Sequence, residues 1–161
     1  MEDQAKNELM RRAIRLSELN LTEGNGGPFG AVIVKDNKVI AGSANQVIAE
    51  NDPTAHAEIS AIRLACKELN TFDLSGCEIY TSCEPCPMCL AAIYWARIGI
   101  VYYANTKHDA AKLGFDDLSI YKELEHSMQE RKLQFKQLLR EEGIRAFNDW
   151  QAAYSAGEKH Y

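Results

Sequence analysis

Leu9, Met10, Ala13, Ile14 and Leu16 fall on one side of a helical wheel, and their spacing predicts an amphipathic helix over residues 7–19. Gly24-Asn25-Gly26-Gly27-Pro28 follows, a composition that ends a helix and forms a loop. The period then shortens. Residues 31–34 and 39–42 are short apolar runs on either side of the polar Lys35-Asp36-Asn37-Lys38, which predicts two strands around a turn. Asp52-Pro53-Thr54 is a helix-start signal, and Ala57, Ala61, Ile62, Ala65 and Leu69 give the helix behind it a buried face. Beyond it the pattern predicts a short strand over 78–82, an apolar helix over 88–96, an apolar strand over 98–104 and a short helix over 109–113 that Gly114 stops. A further strand is predicted over 133–139 and a last helix over 145–154, where Phe147, Trp150 and Tyr154 share one face.

Strands that alternate with helices imply a three-layer α/β/α sandwich around a mixed sheet. At 161 residues the chain has the length of one domain, 1–161, with 140–161 as a C-terminal helix and tail. Apolar residues at 46% and charged residues at 25% are the balance of a globular protein. No run of apolar residues is long enough to span a bilayer, and the polar start Met1-Glu2-Asp3-Gln4 is unlike a secretion signal. A cytoplasmic protein is the expectation. The net charge of -5 and pI near 5.4 argue against gripping a phosphate backbone. Lys132, Lys136, Arg140 and Arg145 come nearest to a basic cluster, but Glu130, Glu141 and Glu142 interrupt it, as on a solvated face of mixed charge.

The chemistry sits in two short motifs. His56-Ala57-Glu58 opens a predicted helix, and Pro85-Cys86-Pro87-Met88-Cys89 opens another. Cys86 and Cys89 are three residues apart, so a first helical turn points both sulfurs the same way. With His56 they can hold one zinc ion and leave a fourth position open, the arrangement of a catalytic rather than a structural site. Glu58 is then placed to move protons beside the metal without binding it. Two other readings stand. A redox dithiol would leave His56 and Glu58 unexplained. A closed zinc site recruiting Cys83 would normally pair two ligand doublets, and this histidine stands alone. Of the five cysteines, an odd count unlike a disulfide framework, Cys66 reads as core, and Cys77 and Cys83 bracket a strand. Taken alone, Asn45 reads as a strand-end turn residue, Phe29 as core and Asp117 as a cap or solvated acid.

The motifs resemble the cytidine-deaminase-like superfamily and, within it, the bacterial guanine deaminases. The likeness is carried by Gly26-Gly27-Pro28-Phe29-Gly30-Ala31-Val32-Ile33-Val34, by Asn51-Asp52-Pro53-Thr54-Ala55-His56-Ala57-Glu58, and by Thr81-Ser82-Cys83-Glu84-Pro85-Cys86-Pro87-Met88-Cys89. Ala92-Ile93-Tyr94-Trp95-Ala96-Arg97 and Gly114-Phe115-Asp116-Asp117 extend it over roughly residues 7–125. The resemblance implies the deaminase fold and hydrolytic deamination of guanine to xanthine and ammonia. It implies one zinc per chain on His56, Cys86 and Cys89, with Glu58 as the main proton shuttle. It further implies that Asn45 hydrogen-bonds the purine, Phe29 packs on its ring, the Ala57 backbone contacts the base, and Asp117 assists at the departing amine. Its partners would be a small purine base and a second copy of the chain, the tail ending in Tyr161 closing the site and exchanged between subunits. Related alternatives are a guanosine, cytosine or tRNA adenosine deaminase, and, from another class, a non-catalytic zinc-stabilised binding module.

Overall fold

The computed structural model describes residues 2–115 and 117–154, which divide into two compact units, 1–120 and 121–161. The first unit begins with α1 (Glu2–Glu23), the hairpin β1 (Gly30–Lys35) and β2 (Lys38–Ala44), and the single turn α2 (Val47–Glu50). It continues through α3 (Ala57–Leu69), β3 (Cys77–Cys83), α4 (Pro87–Trp95), β4 (Ile100–Asn105) and α5 (Lys107–Lys112) into α6 (Asp117–Glu125). The second unit contains α7 (Arg140–Ala153).

The four strands form one sheet in the order β2-β1-β3-β4. β1 is antiparallel to β2 and β3, whereas β3 and β4 run parallel, joined through α4. The expected mixed sheet is therefore present. β1 is central, and Ala31, Val32 and Ile33 are each fully buried, with Val34 at 1%. Such a continuous apolar run belongs to a strand covered on both faces. Alternate residues serve the two covers. Ala31, Ile33 and Ile79 pack with Ala57, Ala61 and Ala65 of α3 and Ile93 of α4. Val32, Val34 and Tyr80 pack with Ala13, Leu9, Met10 and Leu16 of α1. This is the three-layer α/β/α sandwich.

Close packing of α1 on β1 rests on one residue. A Cβ at Gly30 would meet the backbone nitrogen of Ser17 at 2.7 Å, so only glycine lets the helix lie this near the strand.

The structure differs from the sequence pattern in four places. α1 extends beyond 7–19 at both ends, because its polar termini still favour helix. Asp52-Pro53-Thr54 is not a helix start. The Asp52 carboxylate instead accepts from the Thr54 N–H at 2.8 Å and its hydroxyl at 2.7 Å, closing a local turn, and α3 begins at Ala57. α2, a single turn, is too short to display a period, and the sequence pattern predicts no element over the nine-residue α6. Residues 133–139 form no strand: no sheet partner reaches them among the described residues, and a strand without a ladder leaves its backbone groups unpaired. Lys132 instead donates its N–H to the Glu123 carboxylate at 2.8 Å, and Leu139 turns left-handed (φ 50) to start α7, earlier than residue 145. In α7, Trp150 and Tyr154 stack with centroids 3.9 Å apart.

Candidate metal centre and catalytic cavity

Two helix starts meet outside the carboxyl end of β3. His56 is the N-cap residue of α3, yet its ring makes no capping bond. It is turned instead toward Cys86, the N-cap of α4, and Cys89, inside the first turn of α4. The His56 Nδ1 atom lies 3.6 Å from the Cys86 sulfur and 3.5 Å from the Cys89 sulfur. Pro87 stands at the first position of α4, where a missing N–H costs nothing, and the Cys89 N–H donates to the Cys86 sulfur at 3.5 Å.

The donor set fits zinc. With Zn–S near 2.3 Å and Zn–N near 2.0 Å, tetrahedral coordination puts nitrogen and sulfur donors about 3.5 Å apart. The three donor atoms lie within 4.8 Å of one another, and Cys89 is fully buried. Cys83 does not join them. Its thiol donates to the Thr106 carbonyl at 3.5 Å, and burial pushes its pKa up to about 11, so it stays protonated. All five cysteines are free. The four-ligand site lacks Cys83, and a redox dithiol leaves the contact of His56 with both sulfurs unexplained.

Charge in the metal-free cluster is shared unevenly. The Cys86 thiol is held down to about 4 by the hydrogen bond from Cys89, against burial and with help from His56. The Cys89 thiol is pushed far up by its bond to Cys86 and by burial. The His56 imidazole is raised by the hydrogen bond to Cys86, against the opposing effect of burial. The helix N-termini favour this thiolate.

A cavity of about 520 Å³ opens onto the cluster. His56, Cys86 and Glu58 line it together with Asn45, Phe29 and Asp117, so six residues that the sequence singled out converge. Glu58 is only 7% exposed, and burial raises its carboxyl above the usual range, which suits a group that must accept and release protons. Asn45 is buried at the end of the hairpin, its Oδ1 accepting from the Val47 N–H at 3.1 Å. Ala57 is the first residue of α3 and fully buried; its N–H belongs to the turn that no intrahelical bond satisfies. Tyr161 lies outside the described residues.

The sequence reading assigned no role to Phe115, Val47, Ile48 or Pro53, which form apolar walls of the cavity. Phe115 meets Phe29 edge to face, centroids 4.9 Å apart at 84°. Its position beside the Gly114 turn in a motif with Asp117 was the available signal. For Val47 and Ile48, in a four-residue helix, there was none.

Comparison with known proteins agrees with this geometry. Residues 3–105 match the family model for the cytidine and deoxycytidylate deaminase zinc-binding region. Guanine deaminase from Bacillus subtilis is 52% identical over 141 residues, which cover 88% of this chain and 90% of that protein. Its crystal structure superposes with a TM-score of 0.89 at 50% identity, covering 96% of this chain and 98% of the other. A tRNA-specific adenosine deaminase from Agrobacterium fabrum is 53% identical, but over 47% of this chain and 50% of that protein. Metal donors, buried carboxylate, sheet order and these likenesses agree, and the chain belongs to the zinc-binding cytidine and deoxycytidylate deaminase family, in the group that includes the B. subtilis guanine deaminase.

Proposed function

We propose that the chain is a guanine deaminase, converting guanine and water to xanthine and ammonia. The observation that carries this reading is the buried Glu58 carboxyl lining the same cavity as the His56–Cys86–Cys89 donors, in a chain 52% identical to a guanine deaminase over most of its length.

His56, Cys86 and Cys89 would hold the zinc, which when bound would supply Lewis acidity that makes water a nucleophile near neutral pH. Glu58 takes one proton from the attacking water as its oxygen bonds to the purine carbon bearing the exocyclic amine, and delivers it to the adjacent ring nitrogen. The new hydroxyl's proton then passes through Glu58 to the amine, the carbon–nitrogen bond breaks, and ammonia leaves. Burial raises the Glu58 carboxyl above the usual carboxylate range, which suits a group that both takes and gives a proton.

The remaining residues orient the base. Because the Asn45 Oδ1 is occupied by Val47, its NH2 end is available to an acceptor on the purine. Phe29, braced by Phe115, packs on the ring, and the Ala57 N–H offers a further donor. Asp117 assists the departing amine. The whole chain acts as one deaminase domain, and Tyr161 with the preceding tail closes the cavity, exchanged within a homodimer. The free, clustered cysteines suit a reducing cytoplasm, and the reaction belongs to purine metabolism. Among the described residues no helix is long and apolar enough to cross a membrane.

Ammonia release from guanine, guanosine, adenine, cytosine, cytidine and a tRNA anticodon stem-loop tests the assignment. Guanine should be turned over best. Faster turnover of another member would replace guanine as substrate, and zinc binding with no ammonia from any would leave a binding module.

A further inference from the structure

Asn20 and Ser17 are the polar residues on the buried side of α1, whose other inward positions are apolar. Asn20 lies near the end of the helix and is 6% exposed. Its amide nitrogen donates twice, to the Gly27 carbonyl at 2.8 Å and to the Asn45 carbonyl at 2.9 Å. These carbonyls belong to two separate walls of the catalytic cavity, the loop before β1 and the end of β2. The Asn20 Oδ1 is buried and has no hydrogen-bond partner among the described residues. The two donor bonds stabilise the loop they join, and the unpaired acceptor costs part of that gain.

The two carbonyls it joins hold the groups that face the base. The Asn45 N–H donates to the Phe29 carbonyl at 2.9 Å, and the Asn45 side chain is locked by Val47. The neighbouring loop presses on the same residue: a Cβ at Gly26 would lie 2.8 Å from the Asn45 carbonyl oxygen. Asn20 thus fastens a glycine loop, which has no side chains of its own to hold it, to the residue that loop must stay against.

We propose that Asn20 is a positioning residue for base recognition. It keeps the Asn45 NH2 group and the Phe29 ring in one register so that a flat purine meets both at once, and it touches no substrate itself. This rests on the reading of Asn45 as a purine-binding residue, and its effect passes through Asn45.

A double-mutant cycle on the zinc-loaded full chain tests it, using Asn20→Ala, Asn45→Ala and the pair, with guanine KM, kcat, zinc content and Tm as readouts. Asn20→Ala should raise KM about fivefold with kcat within about twofold, the size of effect that a lost hydrogen bond has on uniform binding. Zinc content should be unchanged. Tm should fall modestly, because the Gly27 and Asn45 carbonyls lose a buried donor even as the orphaned acceptor is removed. In the Asn45→Ala background the same change should leave KM where it was. Additive effects, or a KM change that merely follows Tm, would reduce Asn20 to a structural residue and overturn the proposal. An unchanged KM in Asn20→Ala while Asn45→Ala raises it would overturn the proposal and leave the Asn45 reading standing. An unchanged KM in Asn45→Ala would remove both. Should Asn20→Ala fail to fold, Asn20→Ser enters the same cycle, its single hydroxyl donor giving a smaller rise in KM.

Discussion

Cys89 and His56 are far apart in the chain, yet the Cys89 sulfur stands 3.5 Å from the His56 Nδ1 atom. Neither helix start alone would create that contact; it needs α3 and α4 packed side by side on one face of the sheet, which Ala57, Ala61 and Ile93 achieve in the core. The fold therefore brings the three donor atoms together. The purified protein should carry about one zinc per chain by elemental analysis. Cys86→Ala should lose both zinc and ammonia release while retaining the sheet, as seen by circular dichroism. Full activity in a chelator-stripped, verified metal-free sample would refute the metal assignment.

Removing the metal should also expose one reactive thiol. The Cys86 thiol is held near 4, so it remains a thiolate at every pH from about 6 upward. Cys83 is pushed up to about 11, and burial raises Cys66 and Cys77 above the ordinary thiol value, so these three are mostly thiols between about pH 6 and 8. Iodoacetamide on metal-free protein, mapped by mass spectrometry, should modify Cys86 first, at a rate nearly flat between about pH 6 and 8. An ordinary thiol would instead react roughly tenfold faster per pH unit over the same interval. Zinc should protect Cys86. A rate that climbs steeply with pH would show that Cys86 is not the charged member of the pair.

Much of this was legible in the sequence because the informative signals were local. The β1 and β2 runs, the alanine face of α3 and the Cys86–Cys89 spacing each reflect one element's geometry. The outcome at Asp52-Pro53-Thr54 shows where that stops. Aspartate before a short polar turn serves a helix cap and an Asx turn equally well, and the Asp52 carboxylate chose Thr54. The later start puts His56 at the N-cap in place of Asp52, which is what frees its ring for the thiols. Residues 133–139 failed differently: alternation marks a segment able to pair, but pairing is decided by a neighbour that the sequence does not name. Phe115 was missed as a wall because its role exists only through Phe29, brought near by tertiary packing.

That pair yields a prediction. Edge-to-face contact is worth about 1 kcal/mol beyond burial, and losing it frees the Phe29 ring to turn. Phe115→Ala should raise guanine KM about fivefold, while Phe115→Leu, which keeps the bulk, should cost less. Zinc content should stay the same in both. Steady-state kinetics with guanine decide it, and a wild-type KM in Phe115→Ala would mean that Phe29 needs no brace.

The tail can be tested without knowing its path. A lid excludes water and holds a flat base against the metal, so its loss lowers turnover more than it lowers stability. A chain ending at residue 154 should keep its zinc and its melting temperature but deaminate guanine at least about tenfold more slowly. Light scattering on both forms reports whether the tail also holds two copies together. Undiminished turnover in the shortened chain would assign closure to the cavity's own walls.

Glu58 offers the sharpest separation between metal binding and proton transfer. It follows His56 by two residues in sequence, close enough that a simple ligand role has to be tested. Its carboxyl is 7% exposed, and burial raises it, so the neutral form is favoured until the pH climbs through that raised value. Glu58→Gln keeps the size and a hydrogen-bonding end but can no longer take up and release a proton. It should bind one zinc as the parent does and lose turnover by about 10²–10⁴-fold, with guanine KM nearly unchanged. Glu58→Asp keeps the acid but withdraws it by one methylene, and should fall between the two. Elemental analysis and single-turnover ammonia release on the same preparations are the measurements. Loss of zinc from Glu58→Gln would make the residue a ligand, and near-normal turnover would pass the proton work to another group on the cavity wall, with Asp117 the first to test.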